Sequence, residues 1–404
     1  MAITTDRQPT EARELSLVRR VFRVGGRADG RWLILLALVI YFGAVWHWTR
    51  TQGWVPAWHH VRVASLAPDF NDARAVLGSY DRFRAGATMD QLHSAPKGVT
   101  RVTYPHTWLV FSYLGLGEAS TYPVALTLAA ACFGFSLLYM GRISVGQAML
   151  YLALLLSPSL MLGVERGNAD LLMFLMVLAA CWLFARQAVI GACALLLGAG
   201  LLKVYPVAAM APALRHKKGE LTIFACAALF LIFCYTQMQD LAWVSQSTPR
   251  DSGLSFGEFV VPDRWHLSHL VGVVASLTVA AAALAAARRA RAWTLPDDFI
   301  GSGFVAGSSI LVLCFLIGNN YAYRYWFALL LFPQLIRWVM SAEPQARWAV
   351  WMLAGLVLTT WATSTAPLWL MGVTLDWLLF GGVVYGLMSV LLPSAFRQSS
   401  SLSP

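Results

Sequence analysis

An all-α, polytopic bundle of transmembrane helices is the fold class this sequence predicts, on three observations. Of its 404 residues, 58% are hydrophobic and only 12% charged, whereas a water-soluble domain carries about 25% charged residues; mean hydropathy is +0.61. Apolar runs close to the roughly 20 residues that cross a bilayer as a helix recur from Trp32 to Leu392, and none reads as a barrel strand. Basic residues gather in short loops and the N-terminal stretch, where they set membrane orientation. That placement accounts for the net charge of +10 and leaves little support for a nucleic-acid partner. The six cysteines (Cys132, Cys181, Cys193, Cys226, Cys234 and Cys314) lie inside apolar runs without paired ligand spacing and read as packing residues.

Residues 1–31 carry Arg7, Arg13, Arg19, Arg20, Arg23, Arg27 and Arg31, so the positive-inside rule makes them a cytoplasmic tail. The apolar run that follows has no small-residue cleavage site and is expected to remain as an uncleaved first helix, Trp32 to Trp48. A first outer loop, 51–108, comes next. Within it Ala73, Val76, Leu77, Tyr80 and Phe83 repeat at helical spacing and predict an amphipathic, interfacial helix. Trp108 to Leu116 is too short to span and reads as interfacial or re-entrant.

Ser120 to Met140 returns inward, and Val145 to Leu162 with Leu171 to Phe184 form an out-and-back pair. A single crossing from Ala188 to Leu214 would put Arg215, His216, Lys217 and Lys218 outside, against the charge rule. Two short segments turning at Lys203-Val204-Tyr205-Pro206 remove the conflict, since proline favours a break and broken helices are tolerated where they line a cavity. Segments at Leu221 to Met238, His266 to Ala286, Ile300 to Ile317, Tyr325 to Val339, Ala349 to Ala362 and Leu368 to Leu392 then alternate. The expectation is about 10 to 12 membrane segments in one domain, 32–392, with a cytoplasmic tail at 393–404.

This topology brings four polar clusters to the outer face, and costly charges sharing one side suggest a common aqueous cavity. The first is Asp69 with Asp72. On one helical turn their spacing puts both on one face, where one carboxylate would act as a general base. The competing reading makes Asp69 an N-cap and Asp72 a helix-start acid; a capping Asp69 would also hold Asp72 in place. The second cluster is the turn Glu165-Arg166-Gly167-Asn168-Ala169-Asp170, which a solvated loop also explains. Lys203, beside Tyr205, is flanked by apolar residues and needs an anionic partner, unless it snorkels to the surface. Asn319 to Arg324 sets a guanidinium among aromatics, suited to gripping a phosphate or to anchoring an aromatic belt.

The loop Gln239 to His269 adds Arg250, Glu258, Asp263, Arg264, His266 and His269; its Gly and Ser content suggests a mobile flap, though a plain solvated loop is the simpler reading. Asp376, inside the last apolar run, has no partner legible in the sequence. No His-Glu-x-x-His, phosphate loop, dinucleotide fingerprint or Gly-x-Ser-x-Gly elbow is present. No cofactor is expected; a divalent cation on Asp69 and Asp72 is chemically open but unsupported by any ligand spacing.

Taken in order, Phe70-Asn71-Asp72-Ala73-Arg74, Tyr104-Pro105 with Trp108, Glu165-Arg166-Gly167-Asn168 with Asp170, Lys203 with Tyr205-Pro206, and Asn320 with Tyr323-Arg324 resemble the GT-C superfamily of polytopic glycosyltransferases. The likeness is to its bacterial family 87, which includes polyprenyl-phosphate-mannose-dependent mannosyltransferases. It covers about residues 30–340. The resemblance implies a GT-C-like bundle and a catalytic base in the first outer loop, carried here to Asp72 with Asp69 as substitute. It further implies a polyprenyl-phosphate sugar donor, mannose-like as a first expectation, and a glycan or glycolipid acceptor. Lys203, Arg166 and Arg324 would bind the donor phosphate. Glu165, Asn168, Asp170, Tyr104, His106, Tyr205, Asn320, Tyr323 and Arg264 would line the substrate cavity. The expected location is the bacterial inner membrane, with the site facing the periplasm or exterior. The chief rival is a secondary transporter or lipid-linked-sugar flippase; a noncatalytic envelope scaffold is a third.

Overall fold

A computed structural model describes residues 8–24, 28–93, 104–247, 253–341, 343–363 and 366–392. The 393–404 tail, Arg7, Arg27 and Arg250 lie outside them. The described chain is built from helices: α1 (Gln8–Arg23), α2 (Arg31–Gln52), α3 (Trp54–His60), α4 (Asn71–Arg84), α5 (Met89–His93), α6 (Thr121–Met140), α7 (Val145–Leu155), α8 (Pro158–Glu165) and α9 (Asp170–Ala185) in the first half. The second half continues with α10 (Val189–Leu202), α11 (Gly219–Thr236), α12 (Met238–Ser247), α13 (Val260–Trp265), α14 (His269–Arg289), α15 (Phe299–Leu316), α16 (Phe332–Met340), α17 (Ala346–Ala362) and α18 (Trp369–Leu391). Tighter 3₁₀ turns run over His106–Leu114, Tyr205–Arg215 and Ala322–Leu330, and a two-stranded antiparallel ribbon pairs β1 (Ser255–Phe256) with β2 (Asn320–Tyr321).

The chain is a polytopic helical bundle. Among the described residues six helices are long and apolar enough to cross a membrane: Arg31–Gln52, Glu118–Met140, Gly219–Thr236, His269–Arg289, Phe299–Leu316 and Trp369–Leu391. A seventh arises if α7 and α8, bent by 59° at their junction, count as one span. The sequence expects one helix over Val145 to Leu162. Ser157 caps α8 and Pro158 occupies its first turn, so the ladder restarts there and the helix bends. Of the other expected segments, α9, α10 and α17 are helices of 16, 14 and 17 residues, while Tyr205–Arg215 and Ala322–Leu330 are 3₁₀ turns. The described residues thus hold six or seven candidate spans where the sequence predicts about 10 to 12 membrane segments.

A helix apolar all round must face lipid or the centre of a bundle, and both kinds occur. Phe224 on α11 (73% exposed), Leu270 on α14 (66%) and Val39 on α2 (71%) face outward. By contrast α9, α15 and the turn Ala322–Leu330 form the buried centre. Trp326 there is fully buried, its Nε1 donating to the Leu160 carbonyl at 2.8 Å. The single helix expected from Tyr325 to Val339 is instead this 3₁₀ turn followed by α16, whose first turn holds Pro333.

The break expected at Lys203-Val204-Tyr205-Pro206 is observed. α10 ends at Leu202, Lys203 is extended (φ −148°, ψ 113°), and Tyr205–Arg215 folds back with Pro206 at its start. The two arms are antiparallel, because His216 after the second arm bonds Gln187 before the first (Nδ1 to Oε1, 2.9 Å). The hairpin thus returns the basic residues to the end marked by Arg186. Ion pairs Arg215–Asp297 (2.5 Å) and Arg337–Asp298 (2.7 Å) lie at that end, and Lys203 is at the other.

Candidate functional site

The segment between α2 and α6 meets the bundle through α4. Its buried face is Ala73, Ala75, Val76, Leu77, Ser79 and Tyr80; of the expected stripe only Phe83 is half-buried, and Ala75 and Ser79 are buried in addition. The start of α4 departs from expectation. Asp69 is not its cap: Phe70 occupies the cap position in a left-handed conformation with no side-chain hydrogen bond. Asp69 is drawn instead into an ion pair with Arg74 (3.3 Å), which also pairs with Glu118 (2.9 Å). The orphan N–H groups that begin any helix are met from another element. The Arg166 carbonyl accepts from the N–H of Asp72 (3.1 Å) and of Ala73 (3.2 Å). The turn after α8 therefore caps α4 and fixes the carboxylate of Asp72, a first-turn acid as expected.

Close approach at this seam needs Gly167. Its φ is +58°, and a Cβ there would stand 3.0 Å from the Cβ atoms of Ala73 and Ala125. Left-handed backbone plus crowding predicts that Gly167→Ala costs about 1–3 kcal/mol. A fall of several degrees in the melting temperature of the detergent-solubilised protein is expected; an unchanged value would contradict this account of the seam.

Asn168 is the hub of the cluster. Fully buried, it donates from Nδ2 to Asp72 Oδ2 (2.5 Å), while its Oδ1 accepts from Lys203 Nζ (3.1 Å) and from the Asp170 N–H (2.8 Å). Arg166 Nη1 stands 3.5 Å from Asp72 Oδ1. Lys203 does not snorkel. Only 8% exposed, it donates to Asp170, and its ammonium lies 5.1 Å from the Tyr104 ring centroid and 5.9 Å from that of Tyr323. Arg324 Nε is 3.6 Å from the second Asp170 oxygen, and its guanidinium lies 4.7 Å from the Tyr205 ring centroid. Arg166 lies 5.4 Å from that of Tyr321. Two cations thus share one buried carboxylate, which leaves one unit of positive charge uncancelled. Arg166 Nε and Arg324 Nε are buried without a hydrogen-bond partner among the described residues.

The 3₁₀ turn His106–Leu114 completes the wall. A helix end leaves carbonyls unbonded, and those of Leu201 and Leu202 accept from Thr107 Oγ1 (2.8 Å) and Trp108 Nε1 (2.9 Å). The segment between α2 and α6 thereby clasps the end of α10 just where Lys203 leaves it. Burial, then the nearby Asp72, push the Tyr104 phenol well above its ordinary range, so this hydroxyl stays protonated beside Asn168 (3.5 Å).

Two cavities adjoin the cluster. One, about 420 Å³, is lined by Tyr104, Lys203, Tyr205, Asn320, Tyr323 and Arg324 among others. The other, about 160 Å³, has Asp72 among apolar walls from α4, Trp108, Phe111 and α6. Three expected cavity residues take other contacts. Glu165 is fully buried and accepts from Trp54 Nε1 (2.8 Å) and Ser65 Oγ (2.6 Å); Trp54 packs on Phe70 (4.8 Å), so Glu165 braces the start of α4. His106 turns to Asp240 (Nδ1 to Oδ2, 3.0 Å). Arg264 is exposed, 5.7 Å from the Trp369 ring centroid. Asn320 lines the cavity, but its amide is committed to the carbonyls of Cys314 and Gly318.

One segment and one residue carry more than the sequence suggested. The segment Ser255 to Glu258 is buried and its first two residues pair with β2, so this part of the 239–269 stretch is neither a plain solvated loop nor a free flap. Asp376 accepts from Tyr325 Oη (2.5 Å), Thr363 (3.3 Å) and Thr359 (3.4 Å). It anchors the turn that carries Arg324 to α18. Among the described residues no group of three or more His, Cys, Asp or Glu is arranged to hold a metal ion, and Asp69 and Asp72 each have partners of their own. Comparison of the chain with protein-family models, curated proteins and solved structures finds no match.

Proposed function

We propose that the chain is a GT-C-type membrane glycosyltransferase, resembling family 87, which moves a sugar from a polyprenyl-phosphate donor to an acceptor hydroxyl. The observation that supports the reading is one cluster that sets a half-buried carboxylate, Asp72, beside two buried cations that share a single counter-charge. Asp72 takes the proton of the acceptor hydroxyl as its oxygen bonds to the anomeric carbon. The carbon–oxygen bond to the donor phosphate breaks on the opposite face, its electron pair leaves with the polyprenyl phosphate, and the configuration inverts.

Charge grows on that phosphate in the transition state, and Lys203 and Arg324 are fixed where they can offset it. Arg166 supplies a third cation next to Asp72. A positioned base contributes about 10²–10⁴ in rate, and preorganised charge a comparable factor. A donor phosphodiester carries one negative charge, which matches the single uncancelled positive charge of the Lys203, Arg324 and Asp170 group. The Tyr104, Tyr205 and Tyr323 rings supply walls for a sugar. On the positive-inside reading the site faces the periplasm or exterior of a bacterial inner membrane, with a glycan or glycolipid as acceptor.

The test is to incubate purified protein in lipid with radiolabelled polyprenyl-phosphate sugars and candidate acceptors. Labelled glycan product is expected, with mannose as the first sugar to try. If the labelled lipid crosses the bilayer and no donor yields product, the flippase reading replaces this one.

A further inference from the structure

At the end of the bundle away from Asp72, an extended stretch links α14 to α15. The Trp293 N–H donates to the Ser389 carbonyl (3.1 Å), which pins this stretch to α18. The Trp293 ring meets Trp348 (centroids 4.8 Å apart) and Tyr385 (5.3 Å). These rings wall a cavity of about 450 Å³ whose lining also includes Arg291, Thr294 and Glu343, a volume within the usual range for small-molecule sites.

The charges of this cavity are opposite and uncancelled. Glu343 accepts from Thr294 Oγ1 (3.3 Å) and from Gln345, both neutral donors. Among the described residues neither Glu343 nor Arg291 has an ion-pair partner, and both are exposed. An anion alone would meet Glu343 and a cation alone would meet Arg291. A ligand carrying a phosphate and an ammonium satisfies both, since guanidinium grips phosphate while carboxylate and aromatic rings attract ammonium.

Position favours the same chemistry. The cavity lies between the end of one apolar span at Arg289 and the start of the next at Phe299, the level at which headgroups and interfacial Trp and Tyr meet. α15, about 27 Å long at 1.5 Å per residue, runs from this end of the bundle toward the Asp72 cluster. We propose that this cavity is a second ligand site, independent of the glycosyltransferase reading, that binds a phosphate–ammonium dipole such as an ethanolamine phospholipid headgroup. Arg291 holds the phosphate, and Glu343 with the Trp293, Trp348 and Tyr385 rings holds the ammonium.

Calorimetric titration of the full chain in detergent tests this with three probes: dicaproyl phosphatidylethanolamine, dicaproyl phosphatidylglycerol and free phosphoethanolamine. The ethanolamine lipid should bind saturably, about tenfold or more tighter than the glycerol lipid, a gap of about 1.4 kcal/mol or more. Glu343→Gln should bring the two lipids to similar affinity, and Arg291→Gln should weaken both. Both side chains are exposed, so the variants should fold. Binding of free phosphoethanolamine with the same response to the two variants supports the site and assigns a soluble ligand. Equal affinity for the two lipids in the unmodified protein, an isotherm indifferent to both variants, or no saturable binding of any probe overturns the proposal.

Discussion

Asp72→Asn is expected to lower sugar transfer by about 10²–10⁴, to the limit of detection in most assays, while the protein still inserts and still binds the lipid donor. The amide keeps the shape of the carboxylate but cannot accept the acceptor proton. It also leaves the backbone docking of α4 in place, because the bonds from the Asp72 and Ala73 N–H groups to the Arg166 carbonyl do not involve the side chain. The side-chain bonds with Asn168 and Arg166 weaken, so a modest fall in melting temperature is expected. Loss of activity in a variant that still folds and binds the donor therefore separates chemistry from structure. Full activity in this variant would sink the assignment. Asp69→Asn serves as the internal comparison: its partner is Arg74, near the surface, so it should retain most of the activity. The reverse pattern would move the base to Asp69.

The parts of this site that were legible in the sequence are those fixed by hydropathy, charge bias and proline. The break after Leu202 was readable because Pro206 follows a lysine and because Arg215 to Lys218 could not be left on the wrong side. The apolar stripe of α4 was readable because helical spacing is local. What was not readable depends on partners far along the chain. The cap of α4 is a carbonyl of Arg166, 94 residues from Asp72, and no cap rule based on neighbouring side chains can find it. Asp69 looks like the cap because Asp is favoured there, but Arg74, five residues on, competes for the same carboxylate. Asp376 had no visible partner because Tyr325 is 51 residues earlier. The β1–β2 ribbon is two residues long on each side, too short for any periodicity to register. Glu165 was legible as an unusual acid in an apolar chain; that it braces Trp54 and Ser65 needed the fold.

Lys203→Met is the second large effect, and it tests how the buried charges are balanced. Asp170 is fully buried, and without Lys203 its nearest remaining cation is Arg324 at 3.6 Å. Removing one partner of a buried pair costs about 3–5 kcal/mol where the other charge is left uncompensated. Arg324 keeps part of that compensation for Asp170, so the single variant should melt below the parent by less than that full cost. Lys203→Met combined with Asp170→Asn removes both charges and should recover most of that stability. The double variant keeps one net positive charge through Arg324, equal to that of the parent cluster. If Lys203 contributes only field, donor dependence should return to normal in the double variant. If Lys203 contacts the donor phosphate directly, as proposed, a charge-assisted hydrogen bond of about 1.5–3 kcal/mol is lost, and half-saturation with donor should stay raised by about tenfold or more. Parental donor dependence in the stable double variant would remove Lys203 from the phosphate site, and a double variant as unstable as the single one would overturn the pairing with Asp170 as the reason for the loss.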